Sequence, residues 1–202
     1  MKYYFTSDWH VGEAQTPNTH SFLRPRPTEV MAEEWLADLT SKITPEDTLI
    51  FVGDLGIQMS DVNFYKRLPE CKKILILGDK EYANKNFTQD EITKYVIHEK
   101  IFDETYYRYR LKIQDIDFVV AHKPSDCLGQ GLPAICGHVH GIWRSAEMPK
   151  DLEPCVVSTD KLPIINVGID TWGGLVSEEF IIHQYNAITK FYDDEAFPNR
   201  WK

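Results

Sequence analysis

Short apolar runs recur along the chain, and most of them end in polar or glycine-bearing turns. The clearest is Leu49-Ile50-Phe51-Val52, which stops at Gly53-Asp54. An unbroken apolar run of this length, closed by glycine, predicts a strand buried on both faces. Further strands are predicted over 3–7, 73–77, 118–121, 132–136 and 164–167, and a longer one over 106–113. Within that longer stretch Arg108, Arg110 and Lys112 alternate with Tyr107, Tyr109 and Leu111, the two-residue period of a strand with one solvated face. The period changes between 28 and 42. There Val30, Met31, Trp35, Leu36 and Leu39 share one helical face behind Thr28 as cap. A short helix is predicted over 62–68. A longer one starts at Ser177 and continues past Ala187, with His183 as a partly buried packing residue. Residues 11–27 carry Gly12, Pro17, Pro25 and Pro27 and read as loop. Strand and helix alternate first and strands dominate later, which implies two packed sheets with flanking helices rather than one doubly wound sheet.

Composition narrows the picture. A chain of 202 residues, 43% hydrophobic, suits a single globular domain over 1–202, with 190–202 as a loosely held tail. A formal charge of −9 disfavours long nucleic acid and anionic membrane surfaces as partners. It leaves room for a small phosphate ester, because bound metal ions would supply the positive charge. No apolar run is long enough to span a bilayer, and Met1-Lys2 leads into a strand with no signal peptide. Cys71, Cys127, Cys136 and Cys155 form no Cys-x-x-Cys pair and read as reduced thiols, so a cytoplasmic protein is expected. Nothing in the sequence bears on oligomeric state.

Five strand ends carry groups able to bind metal: Asp8 with His10, Asp54, Asp79, His122, and His138 with His140. The carboxyl end of a strand is where open α/β sheets bind ligands. Oxygen and imidazole donors together suit manganese, iron, zinc, cobalt or nickel rather than calcium. On extended backbone, Asp-x-His and His-x-His would each point two ligands to one side. Gly53, Gly78 and Gly137 permit sharp turns beside such ions. Asp54 is read as the bridge between two divalent ions. Arg24 and Arg26, in the proline-bounded loop, are candidate contacts to a substrate phosphate. Asn166 and Asp170 read as turn residues, and Trp172 as either core packing or a surface for stacking a base.

Taken in order, Asp8-x-His10, Gly53-Asp54, His122 and Gly137-His138-x-His140 resemble the calcineurin-like metallophosphoesterase family. The likeness is greatest to its small single-domain bacterial and phage-type phosphoesterases, and residues 5–10, Arg26-Pro27 and 165–172 add to it. The resemblance implies a four-layer α/β/β/α sandwich of two mixed sheets flanked by helices. It implies two metal ions, manganese first among the choices. Asp8, His10, Asp54 and His140 would hold one ion; Asp54, residue 79, His122 and His138 would hold the other. A hydroxide between the ions would attack phosphorus in line.

The third motif departs from the family's Gly-Asn-His-Asp/Glu and reads Gly78-Asp79-Lys80-Glu81. Asp79 still offers a ligand oxygen. Lys80, with an ordinary pKa of about 10.4, starts as a cation and is read as a clamp on a phosphoryl oxygen or as a proton donor. The two exchanges look coupled, since Asp⁻ with Lys⁺ keeps the formal charge of Asn with neutral His. The expected function is a dinuclear phosphodiesterase acting on small nucleotide-like substrates, with Asp54 and Lys80 as catalytic residues. The alternatives are a phosphomonoesterase or pyrophosphohydrolase, and a metal- or phosphate-binding module whose turnover is weak or lost through Lys80.

Overall fold

The structure is a computed structural model that describes residues 1–13, 28–56, 58–82, 87–149 and 161–191. In chain order its elements begin with β1 (Tyr3–Thr6), α1 (Thr28–Lys42), β2 (Thr48–Phe51) and α2 (Met59–Val62), which runs into a 3-10 turn. Next come β3 (Lys72–Ile76), α3 (Asp79–Tyr82), α4 (Gln89–His98), β4 (Glu104–Tyr106), β5 (Arg108–Ile113), β6 (Ile116–Ala121) and α5 (Pro124–Cys127). The chain continues through β7 (Ala134–Cys136), β8 (Ser145–Pro149), β9 (Lys161–Asn166), α6 (Ile169–Trp172), β10 (Val176–Ser177) and α7 (Glu178–Asn186). One sheet has the order β10-β1-β2-β3-β4, with β1 to β4 parallel and β10 antiparallel. The other has the order β5-β6-β7-β9-β8, parallel at its centre and antiparallel at both edges. The fold is therefore α/β, two mixed sheets flanked by helices, as the hydrophobic pattern implied.

The unbroken run at β2 has a simple cause. Ile50 and Val52 face the core between the sheets, where Phe5, Ile74 and Ile76 meet Phe118, Val120, Ile135 and Ile165. Leu49 and Phe51 face the other way, against Trp35, Leu36 and Leu39 of α1 and Ile92 and Val96 of α4. Neither face meets water, so residues 49–52 are all apolar. The second sheet's outer face has thinner cover. Val119, Ala121, Ala134, Cys136 and Ile164 lie beneath Cys127 of α5 and the loop residues Leu128, Leu132 and Trp143. Helix α7 sits at the seam: its Ile181 and Ile182 join the core between the sheets.

The expected strand over 106–113 is in fact two strands. Residues up to Tyr106 pair with β3 in the first sheet, and residues from Arg108 pair with β6 in the second. Tyr106, Tyr107 and Arg108 are all exposed where the chain changes partner, a break in alternation that the Tyr/Arg pattern of the sequence does not show. Helix α4 and strand β8 were not anticipated. For α4 the signal was present: Thr88 and Glu91 form a reciprocal capping box at its start. His183 is exposed rather than partly buried. Arg108, Arg110 and Lys112 do line the solvated face of β5. Cys71, Cys127 and Cys136 are free thiols, and Cys155 lies outside the described residues. No described helix is long and apolar enough to cross a membrane.

Candidate metal centre

Strands β1 and β2 stay side by side beyond the sheet. The Asp8, His10 and Val11 N–H groups donate to the Gly53, Asp54 and Leu55 carbonyls at 3.0, 3.1 and 2.8 Å. This sets Asp8 and His10 beside Asp54. From the second sheet, Gly137 N–H donates to the His122 carbonyl (3.0 Å), and His138 N–H donates to the Asp8 carboxylate, 3.0 Å from each oxygen. A parallel bridge between Ser7 and Gly168 ties the two sheets together at this end. The carboxyl ends of β1, β2, β3, β6 and β7 thus converge, and all seven ligands expected from the sequence come together there.

The backbone that presents them is not extended. Asp8, His10, Asp54, His138 and His140 have φ of 63°, 50°, 59°, 70° and 48°. The same-side argument for Asp-x-His and His-x-His therefore fails, and the left-handed conformation aims these side chains instead. Such a conformation costs a non-glycine residue about 1–3 kcal/mol, and residues of this kind cluster at active sites and ligand clamps. Gly53, at φ 83°, is needed twice over, since a Cβ there would lie 2.7 Å from both Gly78 Cα and His122 Nδ1.

The ligand atoms fall into overlapping groups, Asp8 with His10 and His140, Asp79 with His122 and His138, and Asp8 with Asp54 and His122, each within 4.8 Å of one another. Asp54 faces both sides. Its Oδ2 lies 3.4 Å from His10 Nε2, and its Oδ1 lies 3.4 Å from His122 Nε2. Two donors bound at about 2.1 Å to one ion with a tetrahedral angle lie about 3.4 Å apart, so this spacing suits shared cations.

The tautomers agree with that reading. His122 Nδ1 lies 2.7 Å from the Val52 carbonyl, His10 Nδ1 2.9 Å from Glu13 Oε1, and His140 Nδ1 2.6 Å from Asp170 Oδ2. Each Nδ1–H has an acceptor, which turns the Nε2 lone pair toward the aspartates, the usual support for a metal-binding imidazole. His122 Nε2 is buried and makes no hydrogen bond among the described residues.

Electrostatics demand positive charge here. Burial alone would lower the His122 pKa, but Asp54 and then Asp8 outweigh it and raise it to about 10. Burial pushes Asp54 up, yet His122 and His10 bring it below the ordinary carboxylate range. At 3.4 Å without hydrogen-bond geometry, the His122–Asp54 pair is better matched to a shared ion than to a shared proton.

Supporting residues escaped the sequence reading. Glu81 is fully buried and accepts the N–H groups of Asp54, Leu55 and Gly78 at 3.0, 2.7 and 2.8 Å, which fastens the end of β2 to that of β3. Burial, with the nearby Asp54 charge, pushes its carboxyl up to about 7. Its place as the last residue of the third motif was the available signal. Glu13 accepts from His10 and ion-pairs with Lys80 at 2.9 Å, and no sequence pattern marks it. Asp170 does more than shape a turn, since it orients His140. Asn166 fixes the same loop: its amide donates to the His140 and Trp143 carbonyls (2.6 and 2.7 Å) and accepts Gly168 N–H (2.8 Å). Asp170→Asn is expected to weaken metal binding about 10- to 100-fold, the usual scale for such supporting partners. Titration with manganese checks this; unchanged affinity would remove Asp170 from the site.

The two residues that replace the family's Asn and His, Asp79 and Lys80, find their partners elsewhere. The two do not form a pair; Lys80 engages Glu13, and Asp79 engages Lys123 at 2.5 Å. Trp172 serves packing, with its Nε1 on the Asn166 carbonyl (2.6 Å) and its ring edge-on to Phe180 (4.6 Å). Arg24 and Arg26 lie outside the described residues.

No protein-family model matches this sequence, and no curated protein does. Solved structures do. A protein of unknown function from Aquifex aeolicus, AQ665, is 22% identical with a TM-score of 0.60, over 90% of this chain and 98% of that one. A novel archaeal phosphodiesterase is 18% identical with a TM-score of 0.49, over 83% of this chain and 84% of that one. The first likeness shows that the fold is shared, and the residues that could hold metal ions are this chain's own.

Proposed function

We propose that this chain is a metal-dependent phosphohydrolase with two cations, acting on small, nucleotide-like phosphodiesters. The observation that carries the reading is Asp54, with one oxygen toward His10 and the other toward His122, between two groups of ligands drawn from both sheets. Asp8, His10, Asp54 and His140 would hold one ion, and Asp54, Asp79, His122 and His138 the other. When bound, such ions act as Lewis acids on phosphoryl oxygen and activate water at neutral pH. Two divalent ions more than cancel the three ligand aspartates, which makes the centre attractive to a phosphate.

The chain's own groups prepare the rest. Glu13, Asp170 and the Val52 carbonyl hold three imidazoles in one tautomer. Glu81 locks the Asp54 backbone by accepting the N–H groups of Asp54 and Leu55. Lys80 donates its backbone N–H to Asp54 Oδ1 (2.9 Å), while Glu13 tethers its ammonium beside His10. From there the ammonium can meet a phosphoryl oxygen as a point charge.

Metal analysis combined with hydrolysis of a chromogenic diester tests the proposal. Two ions per chain with metal-dependent hydrolysis support it, and two ions without hydrolysis leave a metal- or phosphate-binding module. Lys80→His is expected to raise turnover on diesters with poor leaving groups, because an imidazole can supply the proton whose absence typically costs about 10²–10⁴-fold. Equal turnover by the two proteins would take position 80 out of proton transfer.

A further inference from the structure

The two groups of ligands are not alike. Asp8, His10 and His140 are buried, whereas the Asp79 and His138 side chains are 36% and 40% exposed. Asp79 also has a partner from the chain itself. Lys123 Nζ lies 2.5 Å from Asp79 Oδ1, while Asp79 Oδ2 lies 3.5 Å from His138 Nδ1. Lys123 follows the ligand His122 directly and precedes Pro124, the first residue of α5. Its backbone is extended at the cap of that helix, φ −87° and ψ 140°.

We propose that Lys123 weakens the Asp79–His122–His138 cation pocket by engaging the carboxylate that an incoming ion needs. The inference rests on the two-cation reading above and adds an order of filling to it. A divalent ion and an ammonium draw on the same charge of Asp79. Lys123 either shares that carboxylate with the ion or withdraws into solvent, for which its 38% exposure leaves room. Both routes cost affinity relative to Asp79 without Lys123. The buried pocket of Asp8, His10 and His140 therefore fills first, and the rim pocket fills at higher metal concentration. Lys123 acts through Asp79 and sets how much metal is needed for a complete centre.

Titration of the metal-free full chain with manganese, followed by calorimetry and by paramagnetic counting of bound ions, tests this without recourse to activity. The wild type should bind two ions in two separate steps. Lys123→Met should tighten the second step by about 10- to 100-fold, the scale of supporting contacts at metal sites, and leave the first unchanged. Lys123→Gln should act likewise, and Lys123→Arg, which keeps the charge, should retain the weak second step. In an Asp79→Asn background Lys123→Met should have no effect, because the coupling runs through that carboxylate. A second step that stays the same in Lys123→Met and Lys123→Gln overturns the inference. A weakened one also does, by making Lys123 an aid to Asp79. Wild type and variants that all bind fewer than two ions would instead sink the two-cation reading, and this inference with it.

Discussion

Asp54→Asn is expected to lower metal content from two ions per chain to one or none, and to cut diester hydrolysis by about 10²–10³-fold or more, the scale of losing one preorganised charge contact. The reason is its position. Oδ1 and Oδ2 lie 3.4 Å from imidazole nitrogens that belong to different ligand groups. An amide would turn an N–H toward one of those lone pairs and remove the charge that favours cations on both sides. Stability should fall too. His122 and His10 hold the Asp54 carboxyl below the ordinary range and Asp54 lifts His122 to about 10, so the lost charge removes stabilisation near neutral pH, offset in part by relief at Glu81, and the metal-free variant should melt below the wild type. Metal analysis, diester kinetics and thermal unfolding in chelator check the three parts. Two ions and full turnover in Asp54→Asn would remove the bridge.

Gly137→Ala is expected to destabilise the fold by about 1–3 kcal/mol through overpacking. It should also weaken metal binding by about ten-fold or more, because the displaced groups position a ligand. A Cβ at this position would lie 2.0 Å from Ser7 Oγ and 2.8 Å from Asp8 Oδ2. Neither neighbour is free to retreat. Ser7 Oγ donates to the Val52 carbonyl at 2.6 Å, and both Asp8 oxygens accept His138 N–H. The strand ends of the two sheets would have to separate, and Asp8 would leave His10 and His140. Denaturant unfolding and manganese titration read the two effects. Wild-type values for both would show that the sheets can part here at little cost.

Much of this molecule is legible in its chain, for identifiable reasons. A strand with both faces covered favours apolar residues on both, so the run at 49–52 announces β2 and its place in the middle. The three-to-four spacing behind Thr28 gives α1 at the observed bounds. Seven metal-competent side chains at strand ends mark a centre, because such groups would otherwise be scattered over the surface. Legibility ends where partners are distant in sequence. Nothing in the residue types at Tyr107 tells β4 from β5, since the change lies in the choice of neighbouring strand. Spacing also misled about backbone: Asp8 and His10 are two apart, yet their left-handed φ values belong to loops rather than strands.

The sequence by itself determined the α/β class, the central strand and the identity of the groups able to hold metal. These follow from local period and from side-chain chemistry, which any short segment carries with it. Tertiary structure decided which oxygen faces which imidazole, that Glu13, Asp170 and Glu81 hold the centre in place, and that Asp79 answers to Lys123 rather than to Lys80. Those pairings join residues 27 positions apart (Glu81 and Asp54), 44 (Asp79 and Lys123) and 68 (Asp54 and His122), as well as residues within one turn, as with Glu13 and His10. Charge and hydrogen-bond geometry select such partners only after two sheets have packed and brought their strand ends to the same place.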